Sequence, residues 1–322
     1  MIQKIGIIGS GKMGQDIFNY LSDFKYHITW FIRDSAKREK LEKSYLRKLS
    51  RQVKHQIITS EQFAQKSAHV ITDQLNHLSG CDLIIETIRE DMETKHHTFA
   101  TLKTIIRPQA IVVSNSSSII PSKLSLFFPV AGMHFFYPVA LKNIVELVLP
   151  EDFYPEKVSL LEHFLKSIRK TYFIQDEQNA FLLNRFLLSL QLKAFLFSVD
   201  QNVPLTAIDQ VSQNLLPDFG LFGMMDHVGL STMYYSIQNY ATMEKEPGLF
   251  QPLLDRLKEK ILHQQPMVDN HKISDIGNSK RDEILGFLSQ ESRQIFHHLF
   301  IHSSGQQKNY RIAIHEFCGL EL

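Results

Sequence analysis

Two groups of residues in this chain have the types and spacing to do chemistry. The first is Gly9-Ser10-Gly11-Lys12-Met13-Gly14. In G-x-G-x-x-G spacing, Gly9 permits a tight turn, Gly11 lets the backbone approach a pyrophosphate, and Gly14 allows a helix to pack closely on a sheet. The helix N-terminus then supplies N–H donors and the positive end of a dipole. A merely tight strand-to-helix turn needs at most one of these glycines. The second group is His134 with Glu146 twelve residues later. Imidazole titrates near neutrality, as a base removing a hydroxyl proton requires, and a carboxylate beside it could orient the ring and stabilise its cation. The bland alternatives are a core histidine satisfied by a backbone carbonyl and a solvated edge carboxylate; the pairing favours catalysis.

These residues need elements to hold them. The glycine loop lies between an apolar strand, Ile5–Ile8, and an amphipathic helix, Met13–Phe24, which is the context that gives the motif its meaning. Short apolar runs then alternate with helical patterns. Strands are expected at His27–Ile32, Val70–Thr72, Leu83–Glu86, Ala110–Ser114 and Val130–His134, and helices at Ala36–Lys54 and Glu93–Ile106. Such alternation predicts βαβ units in a mainly parallel, doubly wound sheet. His134 ends one of these strands, on the side where such sheets bind ligands, and Glu146 falls in the next run, Ile144–Leu149. A helix at Glu156–Ile168 and a strand at Tyr172–Ile174 follow. Beyond polar Gln175–Asn179 the strand signals stop. Phe181–Val199 has helical periodicity, and the remainder reads as helices punctuated by Pro and Gly, including Asp282–Phe300. The expectation is an α/β, Rossmann-type domain over residues 1–176 and an all-helical domain over residues 177–322.

Composition narrows the function. The 322 residues, 43% hydrophobic and 21% charged, suffice for two domains with sizeable cores. Thirty-five basic against 34 acidic residues leave a net charge of +1, so no global field draws the chain to nucleic acid or an anionic membrane. Cys81 and Cys318 lie far apart and form no metal-ligand spacing, which suggests free thiols in a reducing compartment. The first strand starts almost at Met1, and the most apolar stretch, Phe181–Val199, is interrupted by Asn184, Arg185, Gln191 and Lys193. A cytoplasmic protein without leader or membrane span is expected.

At the end of the second strand, where an NAD site usually places an acid against the ribose hydroxyls, stands Ile32-Arg33-Asp34, with Ser35, Lys37 and Arg38 close behind. Arg33 either meets the 2′-phosphate of NADP or is a solvated strand-end arginine. NAD and NADP both remain open.

Four further segments carry a resemblance: Ile85-Glu86-Thr87-Ile88-Arg89-Glu90-Asp91, Ser114-Asn115-Ser116-Ser117-Ser118, Gly132-Met133-His134-Phe135-Phe136-Tyr137-Pro138 and Phe181-Leu182-Leu183-Asn184-Arg185. In order and spacing they resemble the L-3-hydroxyacyl-CoA dehydrogenase family, and Asp218–Leu230 extends the likeness into the helical domain. The resemblance implies an oxidoreductase that interconverts a 3-hydroxyacyl-CoA and a 3-ketoacyl-CoA by hydride transfer with a nicotinamide cofactor. His134 would be the general base oriented by Glu146, Ser117 would contact the substrate oxygen and the nicotinamide end, and Asn184 would position the substrate. The cofactor would be held by Gly9, Gly11, Met13, Gly14, Arg33, Glu90, Lys95 and Ser117. In isolation Ser117 reads as a helix cap, Asn184 as an interhelix hydrogen bond, and Glu90 with Lys95 as a surface ion pair. The resemblance also implies a homodimer. It further implies that the basic face of Ala36–Lys54, with Lys37, Arg38, Lys40, Lys43, Arg47, Lys48, Arg51 and Lys54, helps hold coenzyme A; otherwise that face is simply solvated. A related 3-hydroxy acid dehydrogenase and a nucleotide-binding regulatory protein that has lost turnover are the alternatives.

The chain departs from the family at named positions. Tyr137 stands where Asn is usual, and an aromatic ring there could reshape the acyl pocket or displace the nicotinamide. Gln178-Asn179-Ala180-Phe181 replaces a Pro-Gly-Phe entry to the helical domain, and Leu221 stands where Pro is usual. The family's Gly- and Lys-rich C-terminal segment has no recognisable counterpart.

Overall fold

The computed structural model describes residues 1–213, 219–242, 244, 246–269, 276–301 and 307–318, the side chains of 317 and 318 excepted. Asp218 and the Cys318 thiol therefore lie outside the described residues. The chain divides into two compact units, Met1–Ala180 and Phe181–Leu322.

In the first unit, strands and helices alternate as β1 (Lys4–Ile8), α1 (Lys12–Leu21), β2 (His27–Phe31), α2 (Ser35–Lys54), α3 (Ser60–Ser67), β3 (Val70–Thr72), β4 (Leu83–Glu86), α4 (Met92–Lys103), β5 (Ile111–Ser114), β6 (Ala131–Phe135), β7 (Ile144–Leu149), α5 (Pro155–Ser167) and β8 (Thr171–Asp176). The strands form one sheet in the order β3-β2-β1-β4-β5-β6-β7-β8. All neighbours are parallel except β6 and β7. After β3 the chain returns to the other side of β1, so the winding reverses between β1 and β4. At such a switch point the connections diverge and leave a crevice at the carboxyl ends of the strands.

Side chains alternate across the sheet and bury on both faces. Ile5, Ile7, Leu83, Ile85, Ile111 and Val113 pack with Ile17, Phe18 and Leu21 of α1 and with Phe164 of α5. Ile84 and Val112 face the other way, against Phe99 and Leu102 of α4. Burial on both faces is why β4 and β5 read as continuous apolar runs. Each such large aliphatic side chain contributes about 1.5–3 kcal/mol relative to exposure.

Local signals set the helix starts. Asp34 caps α2 by accepting from the Lys37 N–H at 2.9 Å, Asp91 caps α4 by accepting from Thr94 N–H at 3.0 Å, and Pro155 opens α5. Helix α3 was not expected. It is short and mostly polar, but Thr59 and Gln62 form a reciprocal capping box that is visible in the sequence. The thiol of Cys81 is buried, and burial pushes its pKa up to about 11, which makes it a poor nucleophile near neutrality.

The second unit is helical among its described residues: α6 (Leu182–Asp200), α7 (Leu205–Ser212), α8 (Leu221–Val228), α9 (Leu230–Ala241), α10 (Gln251–Leu262), α11 (Asn278–Phe300) and α12 (Gln307–Cys318). Helix α6 has the length and apolarity of a membrane span, with mean hydropathy 1.3, despite its polar interruptions. However, 56% of that window is buried inside the protein, and α6 packs along α11, with Phe197 stacked on Phe287 at 4.2 Å. Its apolarity thus has a core to fill. Asp209 of α7 accepts from the N–H groups of Phe222 and Gly223, which satisfies the start of α8 where Leu221 replaces the family's Pro.

Candidate active site

The spacing of His134 and Glu146 is explained by strand register. Strands β6 and β7 run antiparallel with His134 directly opposite Glu146, and opposed residues share a face of the sheet. Their side chains meet, His134 Nδ1 to Glu146 Oε2, at 2.9 Å. The carboxylate accepts a hydrogen bond from Nδ1–H, and this tautomer leaves Nε2 as the nitrogen able to take a proton. Glu146 is wholly buried on an interior strand, which removes the solvated-edge reading. A buried carboxylate requires donors; Gln175 of β8 supplies one, from Nε2 to the other oxygen at 3.2 Å. Gln175, itself buried, was not anticipated, because its sequence neighbours are polar and suggested a linker.

On the neighbouring side of β6, the loop after β5 carries the serines. Asn115 Oδ1 accepts from the Phe135 N–H at 2.9 Å and so ties this loop to the end of the histidine strand. Ser117 is held through its backbone: its N–H donates to Glu90 Oε1 at 2.7 Å, and Ser116 Oγ reaches both Glu90 oxygens at 2.9 and 2.8 Å. Ser117 is therefore not a helix cap.

Nor are Glu90 and Lys95 a surface pair. Lys95 is fully buried one turn inside α4, its Nζ donating to both oxygens of Glu86 at 2.8 Å and lying 3.6 Å from Glu90. The ammonium is enclosed by protein instead of lining an open surface, while Glu90 touches Ser117. Burial acts to lower the Lys95 pKa, but the two carboxylates outweigh it and hold it above the ordinary lysine value.

The glycine loop has the conformation its motif implies. Gly9 has φ +121°, and a Cβ there would lie 2.6 Å from Thr87 Oγ1. A Cβ on Gly14 would sit 2.3 Å from the Gly9 carbonyl oxygen, so α1 can approach β1 only with glycine. Gly11 differs: nothing lies within 4 Å of its Cβ position. Its side is open to an incoming group, and no side chain caps the N-terminus of α1. Both features fit a dinucleotide pyrophosphate. Met13 is partly buried against the core, so any contribution to the cofactor comes from its backbone N–H.

At the end of β2, Arg33 is exposed and has no hydrogen-bond or ion-pair partner among the described residues. Asp34 is occupied as the cap of α2. Lys37 lies on a cavity of about 370 Å³ shared with Gly11, Lys12, Asp16 and Tyr137. The Tyr137 ring lies beneath the Lys12 ammonium at 4.1 Å. The family-departing aromatic therefore stands at the glycine loop. Burial lowers the pKa of Lys12, partly offset by Asp16. On α2, Arg38 pairs with Glu42 at 2.7 Å, while Lys37, Lys40, Lys43, Arg47, Lys48, Arg51 and Lys54 are exposed. Asn184 lies in the first turn of α6, in the second unit.

The doubly wound sheet, the glycine loop at its switch point and the imidazole–carboxylate pair at the carboxyl edge define a dinucleotide-binding dehydrogenase architecture. Comparison with known proteins specifies it further. Residues 4–177 match the model of the 3-hydroxyacyl-CoA dehydrogenase NAD-binding domain, and residues 181–266 match that of the 3-hydroxyacyl-CoA dehydrogenase C-terminal domain. A 3-hydroxybutyryl-CoA dehydrogenase of Bradyrhizobium diazoefficiens is 28% identical over 72% of this chain and 81% of its own. A putative fatty acid oxidation complex trifunctional enzyme of Rickettsia prowazekii is 27% identical over 72% of this chain but 34% of its own. The crystal structure of M. tuberculosis FadB2 aligns with TM-score 0.72 and 26% identity over 83% of this chain and 98% of that one. The chain belongs to the 3-hydroxyacyl-CoA dehydrogenase family, and it is an oxidoreductase of that type with a nicotinamide cofactor.

Proposed function

We propose that this protein reversibly oxidises a 3-hydroxyacyl-CoA to the 3-ketoacyl-CoA, with NADP(H) as the preferred dinucleotide. The observation that carries the reaction is the His134–Glu146 pair, at 2.9 Å on the strand next to the serine loop. In the oxidation direction His134 Nε2 takes the proton of the 3-hydroxyl. Glu146 holds the ring by Nδ1 and stabilises the imidazolium, and Gln175 keeps the carboxylate in place. Ser117 donates a hydrogen bond to the substrate oxygen. The nicotinamide, when bound, accepts or returns the hydride at the substrate's C3.

The glycine loop and α1 N-terminus hold the pyrophosphate. Preference for NADP(H) rests on the end of β2: Arg33 has no partner among the described residues, Lys37 is nearby on the glycine-loop cavity, and the adjacent acid, Asp34, is used to cap α2. A guanidinium suits a phosphate dianion and does not replace the carboxylate that binds ribose hydroxyls. A cytoplasmic homodimer completes the proposal.

Purified protein given acetoacetyl-CoA with NADPH or NADH should consume the reduced cofactor. His134→Ala should lower the rate by about 10²–10⁴-fold, the usual contribution of a general base. Cofactor binding without turnover of this substrate would refute the acyl-CoA reading. Turnover undiminished in His134→Ala would refute the assignment of the base.

A further inference from the structure

Glu86 is the close partner of Lys95. It ends β4 at the switch point of the sheet, between Ile8 of β1 and Ser114 of β5. Its side chain is wholly buried, and its carboxylate is surrounded by donors. Lys95 Nζ reaches both oxygens at 2.8 Å, Ser114 Oγ reaches Oε2 at 2.5 Å, and the Ile88 N–H reaches Oε1 at 2.6 Å. A carboxylate so occupied offers nothing further to a ligand. Its influence has to pass through what it holds.

The contacts lead in one direction. Glu86 grips Lys95, Lys95 reaches Glu90 at 3.6 Å, and Glu90 accepts from the Ser117 N–H at 2.7 Å. Two carboxylates share one ammonium, so the group carries one net negative charge. Lys95 and Glu86 are at 1% and 0% side-chain exposure and Glu90 is at 12%, so water screens that charge poorly. A simple Lys95–Glu90 pair would be neutral. Glu86 makes it anionic while hydrogen bonding nothing in the site itself.

We propose that Glu86 is a positioning residue that sets the electrostatic bias of the nicotinamide site, favouring the cationic oxidised cofactor over the neutral reduced one. This rests on the reading above that the nicotinamide end lies at Ser117. For one poorly screened charge acting over about 10–12 Å at an effective dielectric of about 20, the bias is on the order of tenfold in relative affinity. The same charge opposes oxidation of substrate at the bound cofactor, because hydride transfer to the nicotinamide removes the positive charge that it stabilises. Glu86 therefore shifts the bound equilibrium toward oxidised cofactor and hydroxy substrate.

Calorimetric titration of the full chain with oxidised and with reduced cofactor, in the absence of substrate, tests this directly. Glu86→Gln preserves shape and removes one charge, and the ratio of oxidised to reduced Kd should rise about tenfold. The double variant Glu86→Gln/Lys95→Met restores a single net negative charge, and its ratio should return toward that of the parent. Equal weakening of both forms in Glu86→Gln, or no recovery in the double variant, would overturn the proposal in favour of a purely structural role. If Glu86→Gln does not fold, Glu90→Gln removes the same charge while leaving the Lys95–Glu86 pair intact. The ratio must then move in the same direction, and an unchanged ratio overturns the proposal. A parent protein that binds neither cofactor form overturns the functional reading and this inference with it, which distinguishes the two failures.

Discussion

Replacing Arg33 by aspartate should reverse the cofactor preference of this protein. Arg33 is exposed, with no partner among the described residues, at the carboxyl end of β2, where a bound dinucleotide presents its adenosine ribose. A hydrogen bond to a charged group contributes about 1.5–3 kcal/mol, and solvent exposure places this one toward the lower end. Loss of the guanidinium should then weaken NADPH binding by roughly 10- to 100-fold. The introduced carboxylate adds repulsion toward a 2′-phosphate and can accept the free ribose hydroxyls of NADH, so the ratio of the two affinities should move by about 10²- to 10³-fold. Asp34, the adjacent acid, accepts from the Lys37 N–H at 2.9 Å and holds the start of α2. Trp30, the single tryptophan of the chain, offers the assay: its Nε1 donates to the Gly9 carbonyl at 2.7 Å, directly beneath the glycine loop. Its fluorescence during titration with NADPH and NADH yields both constants. A parent that binds NADH as tightly as NADPH, with a ratio that Arg33→Asp leaves unchanged, would refute the reasoning.

Two other predictions separate cofactor binding from stability and set a pH dependence. Gly14→Ala places a Cβ 2.3 Å from the Gly9 carbonyl and should lower Tm as well as dinucleotide affinity. Gly11→Ala meets no protein atom within 4 Å and should cost under about 0.5 kcal/mol of stability while still weakening binding, which thermal melts with and without cofactor would show. Burial raises the Asp209 pKa from 3.8 to about 6, despite two backbone donors. The folded state therefore retains a proton that the unfolded state has already released, and this residue's contribution to stability falls as pH rises from about 4 to about 6. Asp209→Asn, uncharged throughout, should lack that slope and be more stable near neutrality by up to about 3 kcal/mol; parallel pH profiles of Tm for the two proteins would contradict it.

Much of the sheet unit was legible because its strands are short apolar runs set between amphipathic helices, a pattern that burial on both faces imposes. The glycine loop was legible for a similar reason: each glycine answers a steric demand, and Gly14 meets the Gly9 carbonyl as that demand requires. The burial of Lys95 was not legible, because a lysine in a polar helix is ordinarily solvated and only the approach of α4 to the end of β4 encloses it between Glu86 and Glu90. Gln175 opens the polar run that reads as a domain boundary, yet β8 extends through it and carries it to Glu146.

The sequence by itself determined which chemical groups are available: a pyrophosphate cradle, a histidine with a carboxylate at a fixed interval, and an arginine where an acid was expected. Tertiary structure decided which groups meet. That β7 turns back against β6, so that His134 faces Glu146, is a property of register between strands. That one buried lysine is shared by two glutamates follows from how α4 seats on the sheet. Local propensities act over a few residues, whereas the Glu86–Lys95 and His134–Glu146 pairings join positions nine and twelve residues apart whose contact has no free-energy signature until the sheet has assembled.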